Sequence, residues 1–266
     1  MGSTGEMPFL DHLEELRWRI IWSLGALVVG VAIAFALVYR FDLLTWMQGP
    51  ILPFLHGRKL VYTAPGEGFS ILLQTSIMVG IVLALPVLIW QVYAFLSPAL
   101  HRHEKRIAVP VILGVVGLFI GGAALAWYYV LPLTLKFLFN LGDKAFDQMI
   151  TVSAYFGFVT SMVLAMGAVF ELPIAVLLLS LFGLVTPQFL AKYRRHALLG
   201  SYVVAAIITP GDLFITSVAL MVPLYMLYEV SILLSLIVFR KKKAAAAAEA
   251  AAEVAAERAA SHEAPA

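Results

Sequence analysis

Long stretches of apolar residues follow one another along the chain, separated by short polar segments. A helix needs about 20 residues to cross a hydrocarbon core of roughly 30 Å. Four stretches meet this requirement: residues 20–39, 69–96, 107–130 and 154–184. The pattern therefore predicts four transmembrane helices.

A fifth apolar stretch, residues 197–209, would cover only about 20 Å as a helix, which is compatible with a short span or a re-entrant hairpin. Basic clusters at residues 192–195 and 240–243 lie on either side of this region. The positive-inside rule places both clusters in the cytoplasm, so two crossings must separate them. Residues 197–209 and 213–239 are therefore predicted as the fifth and sixth spans, with an outer turn at 209–212.

Both of these last spans are predicted to be short, because the fifth has few residues and Pro223 interrupts the sixth. A span shorter than the hydrocarbon core is matched by local thinning of the bilayer. Most arginine and lysine clusters fall on one side if both termini are cytoplasmic. The sequence predicts an all-α, polytopic protein with six transmembrane helices, in which residues 1–19 and 240–266 flank a membrane domain of residues 20–239.

The composition supports a membrane protein, since 62% of the 266 residues are hydrophobic and 13% are charged, against about 25% charged in soluble domains. The absence of cysteine excludes disulfides, thiolate metal sites and cysteine nucleophiles. Two outer loops are predicted, at residues 40–68 and 131–153. The first contains Trp46, Pro50 and Phe54 and is expected to form short interfacial helices.

Glu171 lies in the middle of the fourth predicted span. An ionised carboxylate at the bilayer centre costs about 2.5–3.5 kcal/mol on insertion scales, so such residues mark candidate functional sites. The alternative is a hydrogen bond to a serine, threonine or tyrosine of another span. Glu229 in the sixth span raises the same question, and a hydrogen bond between spans is the favoured interpretation there.

Residues 7–17 are predicted to form an amphipathic helix that enters the first span, with Asp11 and Glu15 on its polar face. One interpretation is a solvated helix in which Glu15 pairs with Arg19 at i+4. The other is an acidic site for a basic ligand. The apolar positions of this helix are Leu13, Leu16 and Ile20.

The segment 95–106 holds one carboxylate, Glu104, among several cations. Glu104 either forms a local salt bridge or acts together with Glu15 on a guanidinium group. Carboxylates accept arginine side chains in a bidentate manner, so a pair of arginines calls for a pair of acids.

Taken together, these segments resemble TatC, the multispan subunit of the twin-arginine protein translocase, over nearly the whole chain. No single motif identifies the family, but four motifs in the right order and at the right membrane depth are specific for it. The matching segments are residues 9–17, Phe95 with Pro98, Ala99, Leu100 and Glu104, residues 170–173, residues 209–212 and the loop 63–69. In many relatives a glutamine stands where this chain has Thr216, so a role that depends on that amide is not carried over.

The resemblance implies a concave, glove-like bundle in the cytoplasmic (inner) membrane. It implies a receptor for signal peptides with consecutive arginines, within a machine that exports folded proteins using the proton-motive force. Such a protein is not an enzyme and has no ATPase and no cofactor. Its implied partners are the signal peptides, single-span subunits of the TatA and TatB types, the lipid bilayer and further copies of itself in a receptor complex, without nucleic acid.

The resemblance also implies roles for individual residues. Glu15 and Glu104 would contact the arginine pair, and Phe95 would pack beside it, with Leu16 and Arg17 in the same binding region. Glu171, together with Phe170 and Pro173, would face a pocket for partner subunits or for the hydrophobic part of the signal. Structural or coupling roles are expected for Pro50, Glu67, Pro210, Asp212 and Glu229.

The main competing hypothesis is a proton-coupled small-solute transporter in which Glu171 and Glu229 relay protons. A relay needs several titratable groups in register, and the first and third spans offer no intramembrane acid, base or histidine. An enzyme is less favoured, because His-Glu-x-x-His, Gly-x-Ser-x-Gly and paired intramembrane aspartates are all absent from the sequence.

Overall fold

The structure is a computed structural model that describes residues 9–55, 57–96, 108–142, 149–209 and 214–263. Its helices are α1 (Phe9–Arg40), α2 (Leu43–Met47), α3 (Glu67–Leu96), α4 (Ala108–Leu125), α5 (Leu131–Gly142), α6 (Val152–Phe170), α7 (Leu172–Leu181), α8 (Pro187–Lys192), α9 (Arg194–Ile208) and α10 (Ile215–Glu263). A 3₁₀ turn, Leu52–Phe54, follows α2, and a π-helical turn, Ala126–Val130, joins α4 to α5. The predicted all-α class is confirmed.

Five helical segments among the described residues are long and apolar enough to cross a membrane. They are Asp11–Arg40, Glu67–Phe95, Pro110–Leu141, Val152–Leu181 and Ile215–Arg240. They correspond to the first four predicted spans and the sixth. The predicted fifth span is α9, a helix of 15 residues that covers about 22 Å.

Two sequence predictions about helix length are wrong. The sixth span is not short, because its apolar segment Ile215–Arg240 has 26 residues and α10 continues through Pro223. Membrane helices tolerate proline when neighbouring groups satisfy the freed backbone. The second outer loop is also shorter than predicted, since residues 131–142 are helical. The π-helical turn lies just before Pro132, where the missing N–H disturbs the regular hydrogen-bond pattern.

Close packing of backbones joins α1 to α3. A Cβ atom on Gly80 of α3 would lie 2.7 Å from the Cα atom of Val31 in α1, and a Cβ on Gly30 would lie 2.8 Å from the carbonyl oxygen of Gly80. Small residues permit such an approach, which gives membrane helices their van der Waals contact. This contact fixes the position of α1 along α3.

The predicted short helices of the first outer loop are confirmed as α2 and the 3₁₀ turn. The hydroxyl of Tyr155 donates a buried hydrogen bond of 2.6 Å to the carbonyl oxygen of Met47, which ties this loop to α6. An isolated β-bridge between Val61 and Thr151 joins the two outer loops. We call this end of the bundle the cap end. The opposite end, which contains Arg19 and Arg240, is the basic end.

Candidate functional site

The polar residues of α1 face α3 at the basic end. The Nη2 and Nε atoms of Arg19 donate to Oε1 of Glu15 over 2.5 and 2.9 Å, and Nη1 of Arg19 donates to Oε1 of Gln91 over 3.3 Å. The predicted i, i+4 pairing of Glu15 with Arg19 is therefore confirmed. Through Gln91, the pair also connects α1 to α3.

An aromatic contact lies beside this pair. The imidazole of His12 stacks on the ring of Phe95, with 4.4 Å between ring centroids and 14° between planes. Nδ1 of His12 lies 3.8 Å from Oε2 of Glu15. His12 thus connects Phe95, from the end of α3, to Glu15, from the start of α1. We call His12, Glu15, Arg19, Gln91 and Phe95 the α1–α3 polar cluster.

The two carboxylate oxygens of Glu15 differ in their surroundings. Oε1 accepts both bonds from Arg19, whereas Oε2 is enclosed and has no hydrogen-bond donor among the described residues. An enclosed carboxylate oxygen without a donor loses hydration without compensation. Oε2 is therefore the atom of the cluster that is best prepared to accept an additional donor.

The remaining residues predicted near Glu15 behave differently. Leu16 is half-buried and Arg17 is exposed. Leu13 and Ile20 are also largely exposed, so at the start of α1 the side with Glu15 and Arg19 packs inward, whereas further along the helix apolar Ala34 and Val38 are buried. In a membrane the apolar side of a helix faces lipid, so this arrangement is compatible with a lipid environment. Glu104, Pro98, Ala99, Leu100, Pro210 and Asp212 lie outside the described residues.

Glu171 occupies the break between α6 and α7. Pro173 follows in the first turn of α7 and disfavours a continuous helix through residue 172. The Glu171 side chain lines a cavity of about 150 Å³ between α3, α4 and α7. The other residues lining this cavity are apolar except for Tyr93: Ile89, Val92, Val111, Val115, Ile174, Ala175 and Leu178.

Both carboxylate oxygens of Glu171 are enclosed and have no hydrogen-bond partner in the described part of the chain. The alternative of a hydrogen bond to a serine, threonine or tyrosine of another span is therefore not observed there. The neighbouring Phe170 packs against α4, where a Cβ on Gly122 would lie 2.8 Å from its Cγ atom. Pro173 is buried. Phe170 and Pro173 thus fix the break between α6 and α7, and the carboxylate of Glu171 is the charged group that this break presents to the cavity.

Glu229 is bound by two donors in the structure. Nη2 of Arg194 and the hydroxyl of Tyr225 each donate to its carboxylate over 2.8 Å. The ion pair joins α9 to α10, so Glu229 makes a contact between two helices, as the favoured interpretation expected. A carboxylate paired with an arginine is poorly suited to relay protons, and this observation does not favour the transporter hypothesis.

Glu67 and Pro50 both lie at the cap end, where their neighbours hold the first outer loop in place. The backbone N–H of Thr63 donates to Oε2 of Glu67 over 3.0 Å, and the Thr63 hydroxyl contacts the other carboxylate oxygen. These bonds hold the loop that leads into α3. Pro50 lies in the turn between α2 and the 3₁₀ turn, between the buried residues Met47 and Ile51.

Sequence reasoning missed two members of the α1–α3 polar cluster, His12 and Gln91. His12 precedes Glu15 by three positions, which places both on the same side of a helix. This spacing could have indicated from the sequence that His12 lies beside Glu15. Gln91 lies near the end of the second span, but its partner Arg19 is 72 positions away. Only the packing of α1 on α3 brings the two together.

The fold and the apolar helices define a multi-pass membrane protein. A family model described as Sec-independent protein translocase protein (TatC) matches residues 11–223. The chain is 40% identical over 243 residues to the Sec-independent protein translocase protein TatC of Aquifex aeolicus (strain VF5), which covers 89% of this chain and 98% of the relative. It is 32% identical over 237 residues to TatC of Escherichia coli (strain K12), with coverages of 88% and 90%.

A solved structure gives the same result. The crystal structure of the twin arginine translocase receptor TatC superposes with a TM-score of 0.71 at 38% sequence identity, and the match covers 86% of this chain and 99% of that chain. The chain belongs to the TatC family of Sec-independent protein translocase proteins.

Proposed function

We propose that this chain is the subunit that binds twin-arginine signal peptides in a translocase that exports folded proteins using the proton-motive force. Membership of the TatC family supports the translocase role. The observation that carries the receptor role is Oε2 of Glu15, which has no hydrogen-bond donor among the described residues and lies 3.8 Å from Nδ1 of His12, whose ring stacks on Phe95. A guanidinium group supplies the donor that this oxygen lacks.

The α1–α3 polar cluster suits a planar cation. Arginine stacks on aromatic rings as well as binding carboxylates, whereas lysine does only the latter well. The imidazole of His12 lies nearly parallel to the ring of Phe95, the geometry that a stacked guanidinium would adopt. In the proposed complex, one arginine of the signal replaces His12 on Phe95 and donates to Oε2 of Glu15. Glu104, which the family resemblance pairs with Glu15, binds the second arginine.

This proposal predicts a preference for arginine over lysine. A peptide with two lysines in place of the arginine pair keeps the charge but cannot form forked, stacked contacts. An arginine that binds a carboxylate in a bidentate manner donates two charge-assisted hydrogen bonds where a lysine donates one. Because a hydrogen bond to a charged group is worth about 1.5–3 kcal/mol, we expect the affinity of the twin-lysine peptide to be lower by about tenfold or more. Fluorescence anisotropy of labelled peptides with the purified chain in detergent measures the difference. Equal affinities would mean that net charge alone is recognised.

The orientation proposed for the chain places the basic end in the cytoplasm, with both termini there and the protein in the inner membrane. Arg19 and Arg240 both lie at this end, as the positive-inside rule requires. Signal peptides reach the membrane from the cytoplasm, where the α1–α3 polar cluster would be accessible to them. The chain would assemble with TatA-type and TatB-type single-span subunits and with further copies of itself.

We further propose that α9 crosses the membrane as a short fifth span, giving six spans in a concave, glove-like bundle. With about 22 Å of length, α9 matches only a thinned bilayer. Its first residue, Arg194, is paired with Glu229 of α10. Glu229 is eleven residues before Arg240, a distance of roughly 16 Å along the helix. The basic start of α9 is therefore recessed relative to the basic end of α10.

Glu171 is proposed as the docking point for a polar side chain of a partner helix or of the inserting signal. Because its oxygens have no donors, replacement by leucine removes an uncompensated polar group. We expect Glu171→Leu to keep or raise the thermal midpoint in detergent while transport falls by about tenfold or more, the loss of roughly one charged hydrogen bond. Vesicle transport assays and thermal unfolding measure the two effects. Arginine-pair binding should remain unchanged in this variant.

Glu171→Gln is a matched control for this change, since the amide keeps a polar group of the same size at the break between α6 and α7 and can still hydrogen-bond a docked side chain. A Glu171→Leu variant that transports at the normal rate would show that the carboxylate has no docking role. A variant that loses both transport and thermal stability would assign it a structural role instead.

A further inference from the structure

The junction of α8 and α9 carries exposed cations that the proposed function does not use. Lys192, Arg195 and His196 are exposed, and we call them the α8–α9 basic patch. Within the described ranges, no carboxylate forms an ion pair with Lys192 or Arg195, whereas the neighbouring Arg194 is held by Glu229. The patch therefore has a surplus of positive charge.

The start of α9 adds to this surplus. The first turn of α9 contains no acidic residue, and its N-cap residue, Tyr193, makes no capping hydrogen bond through its side chain. A helix N-terminus carries a partial positive charge and unpaired N–H groups. Cations at this position are unfavourable without a counter-ion, so the local electrostatics favour an anion.

Apolar residues continue from the patch along one side of α9. Leu199, Val203 and Ile207 follow Arg195 at intervals of four residues, and their side chains are 64%, 49% and 75% exposed. In a membrane this stripe is covered by hydrocarbon chains. A single ligand that contacts both the cations and the stripe has an anionic head and an apolar tail.

The depth of the patch also points to a lipid. The Arg194–Glu229 ion pair and the 2.7 Å hydrogen bond from the Tyr228 hydroxyl to the carbonyl oxygen of Leu190 hold the α8–α9 junction against α10 near Glu229. Glu229 is 14 residues, or about 21 Å, from Ile215 at the start of α10, which matches the length of about 22 Å that α9 covers. In a bilayer thinned to this length, as the proposed fifth span requires, the patch lies at the level of the phosphate headgroups of the adjoining leaflet.

We propose that the α8–α9 basic patch binds the phosphate headgroup of an anionic phospholipid, whose acyl chain lies along Leu199, Val203 and Ile207. The phosphate is bound by Lys192 and Arg195. This site is separate from the α1–α3 polar cluster and from the cavity at Glu171. It would hold an anionic lipid at the place where α9 is too short for an undeformed bilayer.

The test uses the absence of cysteine from the chain. The full-length Val203→Cys protein is labelled with a fluorophore and reconstituted into vesicles that contain either brominated phosphatidylglycerol or brominated phosphatidylcholine as the quenching lipid. We expect phosphatidylglycerol to occupy the site beside residue 203 with a preference of at least about fivefold, since each lysine or arginine near the membrane surface contributes about 1 kcal/mol to the binding of anionic lipid.

The preference should disappear in Lys192→Gln/Arg195→Gln and persist in Arg40→Gln/Lys59→Gln, which removes the same charge from exposed positions elsewhere. Equal quenching by the two lipids in the unmodified background would overturn the proposal even if the double variant fails to fold. Loss of the preference on adding millimolar glycerol phosphate would also overturn it, because the site would then bind a soluble anion.

Discussion

Replacing Glu15 with glutamine lowers the affinity for a twin-arginine peptide by at least about 30-fold. Removing one partner from a buried, hydrogen-bonded charge pair costs about 2–5 kcal/mol, and 1.4 kcal/mol corresponds to a factor of ten. The variant removes the acceptor charge and leaves the charge of Arg19 without its counter-ion, because an amide oxygen still accepts the two bonds from Arg19 but carries no net charge. The unbalanced guanidinium in the cluster would then repel the arginines of the peptide. Fluorescence anisotropy with a labelled peptide measures the loss.

Two further variants separate these contributions. Glu14→Gln removes the same charge from the neighbouring exposed position, and we expect it to change the affinity by less than about threefold, as is usual for an exposed charge. Glu15→Gln/Arg19→Gln removes the unbalanced cation as well. If this double variant restores binding, Arg19 repulsion and not loss of the Glu15 acceptor explains the effect. If Glu15→Gln binds normally, Glu15 is not part of the peptide site.

Replacing Gly80 with alanine displaces α1 from α3. The new Cβ would lie 2.7 Å from the Cα and 2.8 Å from the N of Val31. These are backbone atoms, so relief requires movement of a whole helix. Overpacking of this kind costs about 1–3 kcal/mol. We expect a lower thermal midpoint in detergent and a weaker affinity for the twin-arginine peptide, because the α1–α3 polar cluster depends on the same helix contact.

Gly25→Ala is the matched control, because a Cβ on Gly25 of α1 meets no atom within 4 Å. Alanine is the better helix former by about 1 kcal/mol, so this variant should be as stable as the original chain or slightly more so. If Gly80→Ala and Gly25→Ala have the same thermal midpoint, the close approach of α1 and α3 does not limit stability.

Most spans could be predicted from the sequence because the bilayer fixes how many apolar residues a crossing needs. The ends of the helices were harder to predict from the sequence. The third span was predicted to end at residue 130 and Pro223 to interrupt the sixth, yet the helix continues through a π-helical turn into α5 and α10 continues through Pro223. The inward position of Glu15 and Arg19 at the start of α1 also differs from the pattern of soluble proteins, in which the apolar side of a helix packs inward.

The candidate site was predictable only where partners are close in sequence. The i, i+4 spacing indicated the Glu15–Arg19 pair. The bond from Arg19 to Gln91 joins residues that are 72 positions apart, and the Arg194–Glu229 pair joins residues 35 positions apart. Such contacts depend on helix packing. The same is true of Glu171, whose lack of a donor can be seen only once the surrounding apolar residues are placed.

The central claim is that the α1–α3 polar cluster receives the arginine pair, and photocrosslinking tests it most directly. A photoreactive phenylalanine analogue replaces Phe95, which keeps the aromatic ring, and in a second protein it replaces Trp46, which is 54% exposed at the cap end. We predict that a twin-arginine signal peptide is captured at position 95 and not at position 46, and that a twin-lysine peptide is captured at neither. Equal capture at both positions, or equal capture of both peptides at position 95, would contradict the account.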